Sequence, residues 1–160
     1  MPKALVVFAT RFGQTRTIAR HIVEGMRSET LEVDLVDAAE MERKGIDPGS
    51  YDAVVIGSAT YHGEMMESVK TLLFAFEKAN LEGKTGASFG SFGWSGEAPI
   101  RIYDTMKHVF RMNMVDEPLR IQSAQLTGAE QRCRDFGAQI AMKIAGVTSS
   151  KECPLCQRTL

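Results

Sequence analysis

Hydrophobic positions along the chain follow two patterns, one typical of strands and one typical of amphipathic helices. The runs ALVVFA (4–9) and AVVIGS (53–58) are continuously apolar and rich in β-branched residues, as central strands of a parallel sheet are. GASFGSF (86–92) is a weaker strand candidate. LEVDLV (31–36) alternates apolar and acidic residues, which predicts a strand at or near a sheet edge, and EPLRIQ (117–122) predicts a short last strand.

Four segments between these runs place apolar residues at helical spacing. They are Ile18, Ile22, Val23 and Met26; Met66, Val69, Leu72, Leu73 and Phe76; Ile102, Met106, Val109 and Phe110; and Cys133, Phe136, Ile140 and Ile144. Thr127 and Glu130 have the spacing of a capping box at the start of the last helix. The order β-α-β-β-α-β-α-β-α predicts an α/β sandwich around a parallel sheet.

Composition narrows the class of protein. A chain of 160 residues favours one domain, and a net charge of −1 gives no basic surface for nucleic acid. No apolar run reaches the about 18 residues of a membrane span. The cysteine count is odd, at three, so we expect a reducing, cytoplasmic environment.

Three loops follow the first, third and fourth apolar runs, and parallel sheets bind ligands beyond the carboxyl ends of their strands. The first, TRFGQT, combines two Thr hydroxyls with backbone N–H groups at a helix start, which suits a phosphate. It lacks the Lys-Ser/Thr pair of a nucleoside triphosphatase and the G-x-G-x-x-G of a dinucleotide site. A single phosphate monoester therefore fits better than a pyrophosphate, and the alternative is a turn that only caps the helix.

The other two loops offer aromatic residues. Tyr61 and His62 follow the third apolar run, and Phe92 and Trp94 follow the fourth. Aromatic groups at strand ends can enclose a flat ring, although each of them alone could equally be surface packing. A phosphate site beside two aromatic loops predicts flavin mononucleotide (FMN).

The segments TRFGQT, GSATYHGEM and FGSFGWSGEA resemble those of flavodoxins, and in particular the flavodoxin domain of flavodiiron proteins, the A-type flavoproteins. The resemblance covers about residues 3–146. It implies a flavodoxin-like three-layer sandwich with a five-stranded parallel sheet in the order 2-1-3-4-5. It also implies non-covalent FMN and one-electron transfer between partner proteins.

Carried over position by position, the resemblance implies three groups of cofactor-binding residues, with no catalytic residue and no metal ligand. The groups are Thr10, Arg11, Phe12, Gly13, Gln14 and Thr15 for the phosphate; Ser58, Ala59, Thr60, Tyr61, His62 and Gly63 for one side of the flavin; and Ser91, Phe92, Gly93, Trp94 and Gly96 for the other.

The expected function is that of an electron carrier between a reductase and an acceptor protein. No H-x-E-x-D cluster of a diiron domain occurs in the sequence, so we do not expect this chain alone to reduce oxygen or nitric oxide. The alternative is a flavodoxin-like oxidoreductase acting on NAD(P)H, a quinone or a porphyrinogen. A carrier is the better expectation, because no insertion is long enough to be a clear substrate loop.

The C-terminal segment is expected to lie outside the FMN-binding domain, which we place at residues 1–147. Residues 148–160 contain CPLC, with Cys153 and Cys156 at the spacing of one rubredoxin or zinc-ribbon knuckle. A tetrahedral site needs four ligands, and one knuckle supplies two. Three alternatives stay open: a metal shared by a homodimer, a disulfide, or a tail without either.

Trp94, the single tryptophan of the chain, gives a direct test of the flavin placement. We expect its fluorescence to be quenched when FMN is added to apoprotein, because the ring should lie against or beside the indole. Unchanged tryptophan emission at saturating FMN would place Trp94 away from the flavin.

The CPLC segment can be tested through metal content and oligomeric state together. If Cys153 and Cys156 bind a shared metal, changing both to Ser should abolish metal and dimer together and leave the flavin content intact. A metal-free monomeric wild type, prepared under reducing conditions without chelators, would exclude the shared site.

Overall fold

The computed structural model describes residues 3–9, 14–27, 32–44, 46–59, 67–77, 81–92, 97–115, 118–122 and 129–144. Within these ranges the chain forms six strands, five α-helices and a short 3-10 helix at Pro48–Ser50. The strands and α-helices are β1 (Lys3–Ala9), α1 (Gln14–Arg27), β2 (Glu32–Asp37), α2 (Ala38–Lys44), β3 (Ala53–Ser58), α3 (Glu67–Glu77), β4 (Thr85–Phe92), α4 (Glu97–His108), β5 (Asn113–Met114), β6 (Leu119–Gln122) and α5 (Glu130–Ile144).

The strands form one parallel sheet in the order β2-β1-β3-β4-β5, and β6 also pairs with β4. The predicted order 2-1-3-4-5 is therefore confirmed. The edge position of β2 is also confirmed, and the acidic Glu32 and Asp34 are exposed while the apolar Val33 and Val36 are buried.

The fifth position of the sheet is shared by two short strands. Asn113 pairs with Thr85 and Leu119 pairs with Phe89. From Asn113 to Leu119 the chain advances six positions, while β4 advances four. Because of this two-residue excess, β5 and β6 are separate strands. The strand expected over 117–122 begins at Leu119, and β5 was not predicted from the sequence pattern.

Helices cover both faces of the sheet. The buried residues of α1 and α5 form one cluster with Val6, Val55 and Phe89 of the strands. Those of α2, α3 and α4 form a second cluster with Leu5 and Val54. The central strands are continuously apolar because successive residues enter opposite clusters, which confirms the three-layer arrangement.

Two expectations about helices were wrong. The sequence pattern missed α2, which is only seven residues long and buries Ala38 and Met41 on its inner side. Val109 lies beyond the end of α4 and is 55% exposed, so it does not belong to the buried face of that helix. The predicted positions Met66 and Thr127 lie outside the described residues.

Helices α1 and α5 approach each other at the level of their backbones. A Cβ atom on Gly25 of α1 would overlap the carbonyl oxygen of Arg134, and one on Gly137 of α5 would overlap that of Ile22. At the surface of the same contact, Arg134 donates to Glu24 at 3.1 Å. That guanidinium lowers the pKa of the Glu24 carboxyl. Two glycines therefore determine how closely the helices pack.

Replacing Gly137 with Ala tests this backbone contact. In a helix without such a neighbour, Ala would be more stable than Gly by about 1 kcal/mol. Here we expect the free energy of unfolding, measured by urea denaturation of the apoprotein, to fall by about 1–3 kcal/mol because the added methyl overpacks the contact. Gln139→Ala, at an exposed position of α5, is the control and should change it by less than about 0.5 kcal/mol. A stabilised Gly137→Ala variant would contradict the contact.

Candidate functional site

The carboxyl ends of β1, β3 and β4 lie at one edge of the sheet. Ala9 pairs with Ser58, and Gly57 pairs with Phe89. The amide of Ala59 continues the pairing and donates to the carbonyl of Ala9 at 3.2 Å. Because the strands are parallel and in register, the three segments predicted to bind FMN leave the sheet at this edge.

A buried pair of hydroxyl groups connects two of these segments directly. Thr15, in the first turn of α1, and Ser91, near the end of β4, have their oxygens 2.9 Å apart. Thr15 is 0% exposed and Ser91 is 2% exposed. The contact crosses over β3, which lies between β1 and β4, and brings together residues 76 positions apart in sequence.

The first turn of α1 has the electrostatic character of an anion site. It contains no acidic residue, although acidic residues are favoured at helix N-termini. Arg16 lies in this turn, with its guanidinium carbon 5.5 Å from the centre of the Phe8 ring. Arg16 was not among the residues predicted from the sequence to bind the cofactor. The helix dipole disfavours a cation in a first turn, so Arg16 there was a signal for a bound anion.

Ser58 lies at the end of β3 and is fully buried. Its hydroxyl donates to the carbonyl of Ala59 at 2.9 Å. Ser88, on the opposite face of β4 from Ser91, donates to the carbonyl of Pro99 in α4 at 2.9 Å. Buried hydroxyl groups therefore lie on both faces of β4, with Ser91 near its carboxyl end and Ser88 at its middle.

Six of the predicted cofactor-binding residues lie within the described part of the chain. They are Gln14, Thr15, Ser58, Ala59, Ser91 and Phe92, with Gln14 and Phe92 described as backbone. The others lie outside the described residues: Thr10, Arg11, Phe12, Gly13, Thr60, Tyr61, His62, Gly63, Gly93, Trp94 and Gly96. The structure thus brings together Thr15 and Ser91 from two predicted groups.

The described residues offer no second reactive centre. Cys133 is 1% exposed, which confirms its predicted place on the apolar face of the last helix, and burial raises the pKa of its thiol to about 11. Among the described residues, no group of three or more His, Cys, Asp or Glu side chains could hold a metal. Cys153 and Cys156 lie outside that part of the chain. None of the described helices has the length and apolar character needed to cross a membrane.

Comparison with known proteins identifies the family. A family model described as a flavodoxin domain matches residues 5–123, well over half of the chain. This chain belongs to the flavodoxin family. The residues matched include β1, β3 and β4 and the segments that follow them, so the match covers the whole edge described above.

Relatives of two lengths share this domain. The chain is 28% identical over 154 residues to the type A flavoprotein fprA of Rhodobacter capsulatus, with 92% of this chain and 34% of the relative covered. It therefore spans about a third of that protein. It is also 28% identical to the probable flavodoxin 2 of Bacillus subtilis, with 89% and 97% covered. A solved flavodoxin from the domain Archaea has 31% identity and a TM-score of 0.82, with 89% and 99% covered.

Family membership confirms the expected cofactor. FMN is the cofactor of flavodoxins, the family to which this chain belongs. The described residues fit the phosphate end of FMN, since a phosphate needs hydrogen-bond donors and an electropositive position. The Thr15 hydroxyl is a hydrogen-bond donor, and the first turn of α1 is electropositive because it contains Arg16 and no acidic residue.

Proposed function

We propose that this protein carries electrons between a reductase and an acceptor protein and has no small-molecule substrate of its own. Membership of the flavodoxin family supports the function, and the observation that supports a cofactor site at the carboxyl edge of the sheet is the buried Thr15–Ser91 pair. It lies where a helix begins and a strand ends, at the position where a doubly wound sheet binds its ligand.

The phosphate of FMN belongs, in this proposal, at the start of α1. The hydroxyl of Thr15 donates a hydrogen bond to the phosphate. The backbone N–H groups at the start of the helix, where intrahelical hydrogen bonds have not yet begun, donate to it as well. Residues 10–14, which include Thr10 and Arg11, are the other residues predicted from the sequence to bind the phosphate. Arg16 adds positive charge to the first turn, so a dianionic phosphate monoester is favoured there over a neutral group.

The flavin ring belongs beyond the ends of β3 and β4. FMN supplies, when bound, a ring that accepts and releases electrons. The chain supplies residues 58–63 on one side of this ring and Phe92, Gly93, Trp94 and Gly96 on the other, with Tyr61, His62, Phe92 and Trp94 as the aromatic groups. Ala59 and Phe92 mark where these two segments leave the sheet.

The proposed partners are proteins that dock at this edge. The net charge of −1 leaves little long-range attraction, so recognition rests on local contacts around the exposed part of the flavin. Cys133 is free and buried, as in proteins of a reducing cytoplasm, which is the proposed location. Residues 1–147 form the proposed FMN-binding unit, and a homodimer is proposed only through a metal held by Cys153 and Cys156 of two chains.

Anaerobic reduction of the FMN-loaded protein separates a carrier from an oxidoreductase. We expect the flavin absorbance to fall slowly with NADPH alone and quickly when an NADPH-dependent flavodoxin reductase is added. Free FMN with the same reductase is the control for reduction of dissociated cofactor. Fast reduction by NADPH alone, or turnover with a quinone or a porphyrinogen, would establish the oxidoreductase alternative.

A further inference from the structure

Ser91 lies on the face of β4 that packs against α1 and α5. Phe89, two residues earlier on the same face, belongs to the hydrophobic cluster of those helices. Ser88 lies on the other face and is bonded to Pro99 of α4. Strand alternation therefore directs the Ser91 hydroxyl to the α1 side of the sheet, where it meets Thr15.

We infer that Ser91 is a positioning residue for the cofactor phosphate: its hydroxyl donates to Thr15 and so leaves the Thr15 hydrogen to the phosphate. The inference rests on the proposed phosphate site at the start of α1. It assigns Ser91 to the phosphate end of FMN and not to the ring side implied by the family resemblance.

The number of hydrogens in the pair decides which hydroxyl can donate to a phosphate. Each hydroxyl has one hydrogen to donate and can accept through its oxygen, and either oxygen of the Thr15–Ser91 pair could be the donor. If Thr15 donated to Ser91, its single hydrogen would be used and only lone pairs would face an anion. If Ser91 donates to Thr15, the Thr15 hydrogen is free for the phosphate.

A phosphate monoester above its second pKa of about 6 offers only acceptors. It therefore selects the arrangement in which the hydrogens run from Ser91 to Thr15 to the phosphate. Both hydroxyls are almost fully buried, so water competes little for either of them, and consecutive hydrogen bonds in such a chain strengthen one another. Ser91 thus acts on the phosphate through Thr15, without touching it.

The consequence is specific to ligands that carry the phosphate. Riboflavin has the same ring and ribityl chain but no phosphate, so removing the Ser91 hydroxyl should weaken FMN binding and leave riboflavin binding almost unchanged. A serine that contacted the ring, or that only supported the fold, would affect both ligands alike.

The test compares Ser91→Ala with Ser88→Ala in apoprotein at about pH 8, above the second phosphate pKa of about 6. Ser88 is the matched control, because it is a buried serine of the same strand whose hydroxyl makes a bond of the same 2.9 Å length to Pro99. The Kd values of FMN and riboflavin are measured by quenching of flavin fluorescence. For Ser91→Ala we expect the Kd of FMN to rise about tenfold and that of riboflavin to change less than about twofold.

Ser88→Ala should leave the ratio of the two Kd values unchanged, whatever it does to stability. Ser91→Thr keeps the hydroxyl and should restore the ratio toward that of the wild type. As a readout without flavin, inorganic phosphate should raise the Tm of the wild-type and Ser88→Ala apoproteins and raise that of Ser91→Ala less. Urea denaturation identifies any variant that fails to fold.

The outcomes separate this inference from the proposed site. If the wild type prefers FMN to riboflavin but Ser91→Ala changes both Kd values equally, or neither, Ser91 does not position the phosphate donor. If Ser91→Ala fails to fold, the test rests on Ser91→Thr. A lower preference of this variant for FMN over riboflavin than that of the wild type, despite the retained hydroxyl, would overturn the inference. If the wild type binds riboflavin as tightly as FMN, the proposed phosphate site itself is wrong.

Discussion

The backbone contact between α1 and α5 determines where the start of α1, the proposed phosphate site, lies on the sheet. Gly25 and Gly137 allow each helix to rest against a carbonyl group of the other, so the separation of the helix axes is set by backbone and not by adaptable side chains. Thr15 is ten residues before Gly25 on the same helix, a distance of about 15 Å along its axis. A helix is stiff over that length, and its position at one end therefore sets its position at the other.

At that other end the Thr15–Ser91 hydrogen bond restricts α1 a second time. Both hydroxyls lie beside an apolar cluster, and a buried hydroxyl without a partner costs about 1–3 kcal/mol. An arrangement of α1 that separated Thr15 from Ser91 would incur this cost for each group. The polar pair thus fixes the placement of α1 on the sheet in a way that hydrophobic contacts, which tolerate small shifts, do not.

The sequence predicted the elements that repeat a strong pattern. Continuous apolar runs identified β1 and β3, and helical spacing identified four of the five described α-helices. It missed α2, which has too few turns to show a period, and β5, which is a pair of residues held by its register with Thr85 and Gly86. Helix α2 depends on packing against the sheet, and β5 depends on pairing with β4. Local sequence does not show either contact.

The site was predictable as a set of loops but not as a set of contacts. Topology placed Thr15 and Ser91 at one edge, yet their meeting depends on the height of α1 above the sheet and on which face of β4 carries Ser91. The family resemblance placed Ser91 with Phe92 and Trp94 on the ring side, and local sequence does not show that Ser91 meets Thr15. Arg16 was overlooked because the loop motif ends at Thr15, whereas the positive charge beside the proposed phosphate site comes from the next residue of α1.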